Sequence, residues 1–294
     1  VERELQDALG SPREQVRAFA PDLVGLVAPD HYNGFFNELM PPFCIGTRTR
    51  SVGDYLSPEG ELNVDGEAAL GLAEHLMDED FDVAVSRRMQ VDHGFAQALQ
   101  LLWGGLGTPP VLPIFLNAVA QPGIPRMRRC QALGEAIGRF LDAQPRRTLL
   151  IGSGGLSHEP PVPTLAHPDA AVRERITRRN EPTPAEREIK THRVMAAGKA
   201  LAAGTSSIKP LNPAWDRRWM DALASGGAAL DALCALSEDS IEHEAGLSAH
   251  ESKSWLVARS ALPTDRPLTC SLSHYQAIPE YIAGFGVMLL KHPH

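Results

Sequence analysis

Residues 1 to 20 read as a helix, with Leu5, Leu9, Val16 and Phe19 roughly on one side. A short apolar run, Leu23 to Ala28, follows and is ended by Pro29-Asp30. A helical pattern covers about 66 to 78, Phe81 to Ser86 reads as a strand, and 94 to 103 as a helix. Val111 to Asn117 is a third strand, 126 to 143 a helix, and Thr148 to Ser153 a fourth strand closed by Gly154-Gly155. Continuous apolar strands separated by helices predict a parallel sheet covered on both faces. From about 168 to 262 the pattern is almost wholly helical, broken at Pro182, Pro184, Pro210 and Pro213. The tail from 263 onward is mixed and rich in turn residues. The expected fold is therefore α/β, a three-layer sandwich with a mainly parallel central sheet and a largely helical second half. No flexible linker interrupts 1–294, which reads as one domain, with a separate helical domain for the second half as the alternative.

The histidines change the picture. His31 follows the first apolar run directly. The strand Phe81 to Ser86 leads through a short loop to Asp92-His93, and Leu149 to Gly152 leads through Ser153-Gly154-Gly155-Leu156-Ser157 to His158. In an open parallel sheet the strand C-termini share one edge, where ligands bind. Three histidines remote in sequence are thus expected on one edge.

A carboxylate joins them as a candidate. If 248 to 258 is helical, Leu247, Glu251, Trp255, Ala258 and Leu262 share a face that is otherwise apolar. A carboxylate buried there needs a charge partner or a metal. Ser248-x-x-Glu251 equally fits a capping box, and on spacing alone the two readings stand level. Other patterns fail. Gly152-Ser153-Gly154-Gly155 is neither a dinucleotide fingerprint nor a nucleophile elbow, and reads as a tight turn that lets backbone approach a ligand. His158-Glu159, His243-Glu244 and His250-Glu251 lack the second histidine of a zinc protease motif, because Val162, Leu247 and Ser254 stand there.

Composition narrows the class. The chain has 294 residues, 43% hydrophobic and 22% charged, which suits a globular enzyme needing no structural staple. A net charge of −8 argues against nucleic acid as partner but leaves room for a small anion bound by a local cation. Cys44, Cys130, Cys234 and Cys270 form no CxxC pair and read as free thiols of a reducing, cytoplasmic compartment. Tyr281 to Leu290, the longest apolar stretch near the C-terminus, is too short to span a bilayer. The opening Val-Glu-Arg-Glu-Leu is charged and unlike a signal peptide.

With these residues in hand, the sequence resembles the class III extradiol dioxygenases, the family named for protocatechuate 4,5-dioxygenase, over nearly its whole length. The likeness rests on Ala28-Pro29-Asp30-His31-Tyr32-Asn33-Gly34-Phe35-Phe36, on Met89-Gln90-Val91-Asp92-His93-Gly94-Phe95-Ala96-Gln97 and on Gly152-Ser153-Gly154-Gly155-Leu156-Ser157-His158. Pro210-Leu211-Asn212-Pro213 and Ile282-Ala283-Gly284-Phe285-Gly286 add to it. The resemblance implies Fe(II)-dependent cleavage of a 3-substituted catechol, such as 2,3-dihydroxyphenylpropionate or 2,3-dihydroxycinnamate, by O2, in a homo-oligomer. It implies His31 and Glu251 as metal ligands, His93 as proton donor and His158 as proton acceptor. His250 reads as structural, and His75, His167, His192, His243, His274, His292 and His294 as surface residues. The family's first iron ligand lies in a Ser-His-Ser-Pro-like turn that has no counterpart here. The expectation is that about twenty or more N-terminal residues are missing, estimated as one strand plus a turn. A non-catalytic binding scaffold on the same fold is the rival reading, and a metal-dependent hydrolase a weaker third.

Overall fold

The computed structural model describes residues 2–179, 181–263 and 266–292. The first apolar run becomes the structural centre. Helix α1 (Glu2–Phe19) leads into β1 (Leu23–Ala28), all six residues of which are buried. The chain continues through β2 (Phe43–Gly46), β3 (Thr49–Val52), β4 (Glu59–Glu61) and α2 (Gly66–Asp78). Then come β5 (Ala84–Ser86), β6 (Met89–Val91), α3 (His93–Trp103), β7 (Val111–Leu116), α4 (Met127–Asp142) and β8 (Thr148–Gly152).

The main sheet has the order β5-β2-β7-β1-β8. Its β1/β7, β1/β8 and β2/β5 pairings are parallel, and β2/β7 is antiparallel. Side chains alternate across it, as strand geometry requires. Leu23, Val27, Leu112 and Ile114 face one core with α2 and α4, while Val24, Leu26, Val111 and Phe115 face another with Phe95 and Leu99 of α3. A small sheet of order β4-β3-β6 lies on the α3 side. The expected three-layer α/β sandwich with a mainly parallel sheet is what forms.

One strand direction departs from expectation. β5 pairs parallel with β2, and β2 runs antiparallel to β7, so β5 runs opposite to β1 and β8. Its C-terminal end therefore lies at the edge opposite to theirs. His93 is not delivered by the end of that strand. The chain turns at Arg87-Arg88 and returns through β6, which pairs with β3 and leads to Asp92, the N-cap of α3.

The second half is helical as expected: α5 (Ala170–Thr177), α6 (Pro184–Ala202), α7 (Pro213–Ser225), α8 (Gly227–Cys234) and α9 (Glu238–Ala245). Two of the proline breaks are helix starts. Pro184 opens α6 behind the Thr183–Glu186 capping box, and Pro213 opens α7 behind the Asn212 cap. A 3-10 segment, Leu247–Ser252, runs into α10 (Lys253–Ser260). The turn-rich tail forms an antiparallel hairpin, β9 (Thr269–Ile278) with β10 (Ala283–Lys291), packed on α7.

The histidines without a role divide. His192 and His243 are exposed, whereas His75, His167, His274 and His292 are half-buried, and His294 lies outside the described residues. The His75 ring packs on Phe140 with Nε2 3.0 Å from the Ala136 carbonyl, so it is a packed residue rather than a surface one. His250 is fully buried, with Nε2 3.0 Å from Glu242 Oε1, in keeping with a structural role.

Helix α10 packs on α4 and β8. It comes close because Gly134 faces it: a Cβ there would fall on the Val257 carbonyl oxygen and 2.7 Å from Ser260 Cβ. Alanine is the better helix former by about 1 kcal/mol, but overpacking costs about 1–3 kcal/mol. Gly134→Ala is therefore predicted to lower the urea midpoint. A midpoint that stays level or rises would show that α10 is not seated by this contact.

Candidate active site

Four of the side chains singled out by sequence meet in one cleft of about 1570 Å³: His31, His93, His158 and Glu251. His31 lies just past the end of β1 and His158 six residues past β8, because those two strands run side by side in the same direction. His93 begins α3. Glu251 sits in the 3-10 segment ahead of α10, not inside a longer helix. Its carboxylate does not cap the segment: Gly246 holds the cap position, and Ser248 N donates to the His158 carbonyl. The capping-box alternative is thereby set aside. Trp255, Ala258 and Leu262 line the same cleft as Glu251, whereas Leu247 is exposed.

Glu251 organises the cluster. Its Oε1 lies 2.9 Å from His31 Nε2 and 2.9 Å from His158 Nε2, and its Oε2 accepts from Gly155 N at 2.8 Å. The glycine turn 152–155 makes this approach possible. Gly154 has φ +151°, and a Cβ on it would stand 2.8 Å from Glu251 Cβ. What the turn admits is thus Glu251 itself.

The other ring nitrogens are also committed. His31 Nδ1 is 3.1 Å from Asp92 Oδ2, which also accepts from His31 N at 2.6 Å and Asn33 Nδ2 at 3.0 Å. His158 Nδ1 is 2.8 Å from the Leu156 carbonyl. His93 Nδ1 is 2.8 Å from Asp54 Oδ2, while its backbone N donates to Asp54 Oδ1 at 2.7 Å. The His31 and His93 rings stack at 4.6 Å, and Tyr55 meets His93 edge-on at 4.7 Å. Asp54 sits in a loop where Gly53, Tyr55 and Leu56 all have left-handed φ, a conformation that carries strain at the two non-glycine residues.

Carboxylates and carbonyls only accept hydrogen bonds, so His31 and His158 each present N–H on both sides of the ring. Their protonation follows. Burial opposes the charge on His31, but Asp92 and Glu251 outweigh it and hold its pKa well above the usual 6.5. Burial likewise opposes the charge on His158, and Glu251 raises it. Burial pushes Glu251 and Asp92 up, yet the adjoining histidines hold both well below the usual carboxylate range. Asp30, pressed by burial and by Asp92, is pushed up to about 7.

Two donor sets could hold a cation. His31, Asp92 and His93 bring one ligand atom each within 4.8 Å of one another. Asp92, however, is fully buried and already accepts from His31, Asn33 and Gly94. It orients His31 in the way that carboxylates orient metal-ligating histidines. His31 Nε2 and Glu251 instead face the cleft, with His158 Nε2 beside them, and imidazole plus carboxylate suits a first-row divalent metal. Sequence reading gave no role to Asp92 or Asp54. Asp92 had a signal, since it directly precedes His93 at a helix start. Asp54 had none, because it meets His93 only through a strained loop.

Comparison with known proteins bears on this cluster. Residues 2–286 match the family model described as "Catalytic LigB subunit of aromatic ring-opening dioxygenase". The chain is 67% identical over 289 residues to a 2,3-dihydroxyphenylpropionate/2,3-dihydroxicinnamic acid 1,2-dioxygenase of Comamonas testosteroni, covering 98% of this chain and 89% of that one. It is 49% identical over 288 residues to the enzyme of the same name from Burkholderia vietnamiensis, covering 98% and 90%. Among solved structures it resembles an uncharacterized protein of Escherichia coli K12, with TM-score 0.51 and 13% identity over 95% of this chain and 90% of that one, a likeness of fold alone.

A divalent metal at His31 Nε2 must displace the proton that Asp92 and Glu251 stabilise. That competition extends above pH 6.5, because the pKa of His31 is raised above that value. Apparent metal affinity is predicted to climb between about pH 6 and 8 with a slope near tenfold per pH unit, one proton being released per metal. Calorimetric titration across that range checks it, and a flat profile would mean that His31 is not the protonated partner described.

Proposed function

The chain belongs to the family of the catalytic LigB subunit of aromatic ring-opening dioxygenase, and from that membership we propose a specific reading of its site. The protein is an extradiol dioxygenase that opens a 3-substituted catechol of the 2,3-dihydroxyphenylpropionate or 2,3-dihydroxycinnamate type with O2, as its relatives' names state for them. The metal is Fe(II), held by His31 and Glu251. The observation that carries this reading is the single Glu251 oxygen facing two histidine Nε2 atoms at 2.9 Å beside a third, stacked histidine.

Fe(II), when bound, supplies the Lewis-acid and redox chemistry that O2 and a catechol require of each other. The protein's own groups handle position and protons. Asp92 pins His31 Nδ1 and leaves Nε2 for the metal. The Leu156 carbonyl holds His158 Nδ1–H, so once the Nε2 proton shared with Glu251 has left, Nε2 faces the cleft as proton acceptor for a catechol hydroxyl. Asp54 holds His93 Nδ1–H and sets the ring on the other side of His31, where, with Nε2 also protonated, it serves as the proton donor that the family resemblance implies. Residues 1–294 form a single catalytic domain in this reading. Its support is one hydrophobic cluster that unites Leu23 and Ile114 of the sheet with Trp219, Leu230, Ile241 and Val257 of the helical half. No helix among the described residues is long and apolar enough to cross a membrane. A cytoplasmic homo-oligomer accords with this reading.

The first test is catalytic. Protein loaded anaerobically with Fe(II) should consume O2 and 2,3-dihydroxyphenylpropionate one for one. The product should be a yellow dienol acid from cleavage beside the side chain. Uptake of O2 without colour, or cleavage between the hydroxyls, refutes the extradiol reading, and metal binding without turnover would favour the scaffold.

The second test separates roles. His31→Ala or Glu251→Ala should lose bound iron. His93→Ala or His158→Ala should keep it and turn over about 10²–10⁴-fold more slowly, the usual worth of a proton-transfer group. Iron lost from the His158 variant but kept by the Glu251 variant would reverse the assignments.

A further inference from the structure

Helix α6 presents an unusual inner face. It is exposed along most of its length, and its half-buried or buried positions are Arg187, Lys190, Thr191, Val194, Ala197, Gly198, Ala200 and Leu201, which, apart from Ala200, follow the three- and four-residue spacing of one helical stripe. At its far end the stripe packs closely, since a Cβ on Gly198 would fall on the Glu280 carbonyl oxygen. The inward stripe of a surface helix is ordinarily apolar. Here its first turns place two cations over the histidine cluster. Arg187 Nε donates to Asn33 Oδ1 at 3.3 Å, and Lys190 Nζ donates to the His31 carbonyl at 3.1 Å.

Lys190 lines the same cleft as His31, His93, His158 and Glu251. Lys291, at the end of β10, lines it as well, while three arginines of that cleft are engaged elsewhere. Arg13 donates to the Leu101 carbonyl, Arg146 pairs with Asp65, and Arg259 donates to the Leu223 carbonyl. An ammonium has three donors, and the described contact of Lys190 uses one. That partner is a carbonyl and not a carboxylate, so the charge on Lys190 is not matched there by a full opposite charge. Asp30, the nearby carboxylate, already accepts from the backbone N–H groups of Asn33, Gly34 and Phe35.

We propose that Lys190 binds the side-chain carboxylate of the catechol and so selects anionic 3-substituents. The proposal rests on the ring-cleavage reading above. Its physical ground is charge. Glu251 lines the catechol end of the cleft, and Asp92 and Asp54 are buried behind the His31 and His93 rings, in a chain of net charge −8. The cations at that end are already matched by these carboxylates, so a substrate carboxylate that leaves water for the cleft needs a cation of its own. Lys190 Nζ stands 3.1 Å from the backbone carbonyl of His31, the residue whose ring faces Glu251, and lines the same cleft. An ammonium–carboxylate contact of this kind also fixes which ring edge faces His158.

The test uses a ratio that cancels any general damage. Specificity constants are measured for 2,3-dihydroxyphenylpropionate and for the neutral 3-propylcatechol on the Fe(II)-loaded protein and on Lys190→Arg, Lys190→Gln and Lys190→Glu. The preference for the acid over the neutral catechol should fall about 10- to 100-fold in Lys190→Gln, the worth of one charge-assisted hydrogen bond. It should fall further in Lys190→Glu, be partly restored in Lys190→Arg, and act mainly through KM. The same ratio in all four proteins would overturn the proposal and leave Lys190 as a brace for the His31 segment. Wild-type protein that cleaves neither catechol would fail the ring-cleavage reading itself and take the proposal with it.

Discussion

One oxygen atom ties this molecule together. Glu251 Oε1 accepts from His31, 220 residues before it, and from His158, 93 residues before it. A carboxylate that deeply buried would be costly alone, and two cationic rings offset the cost. The bond also explains packing around it. The Glu251 segment and α10 can reach the sheet edge only because glycine faces them, Gly154 against Glu251 itself and Gly134 against Val257. Small residues in a turn and in a helix are thus part of the electrostatics, since a bulkier seat would hold the carboxylate away from its histidines.

The sequence carried much of this. Long apolar runs marked β1, β7 and β8, and their parallel pairing placed His31 and His158 together for the reason expected. His93 arrived at the same site by a different route. The run before it was legible as a strand, but strand direction is set by how connections cross the sheet, and no local pattern records that. β3, β4, β5 and β6 have three or four residues each, too few for a period of two to stand out. The Glu251 face was legible in Trp255, Ala258 and Leu262, although the local helix type was not. Asp54 was invisible because its role depends on left-handed backbone at Tyr55 and Leu56, which side-chain identity does not announce.

The charge distribution has a logic that the net value hides. The acidic groups around the site are set inward: Asp30 and Asp92 are fully buried, and Asp54 and Glu251 nearly so. Each accepts from a histidine or from backbone N–H groups, although Asp30 does so through Oδ2 alone and its buried Oδ1 has no partner among the described residues. Arg187 and Lys190 of α6, a helix of the second half, reach the same segment through Asn33 and the His31 carbonyl. The two halves of the chain are joined at the cleft by these bonds and by the pairing of Glu251 with His31 and His158, as well as by the shared apolar core.

The sequence distance across the Glu251 bridge has a temporal meaning. Chains are made from the N-terminus and their elements fold as they emerge. When β8 and its following turn have been synthesised, all three histidines exist and the carboxylate does not. The sheet edge must then wait for nearly a hundred further residues, including five helices, before its charge partner is made. Long-range contacts of this kind close late. The site is thus a record of completion, assembled only in a chain whose second half has found its place on the first.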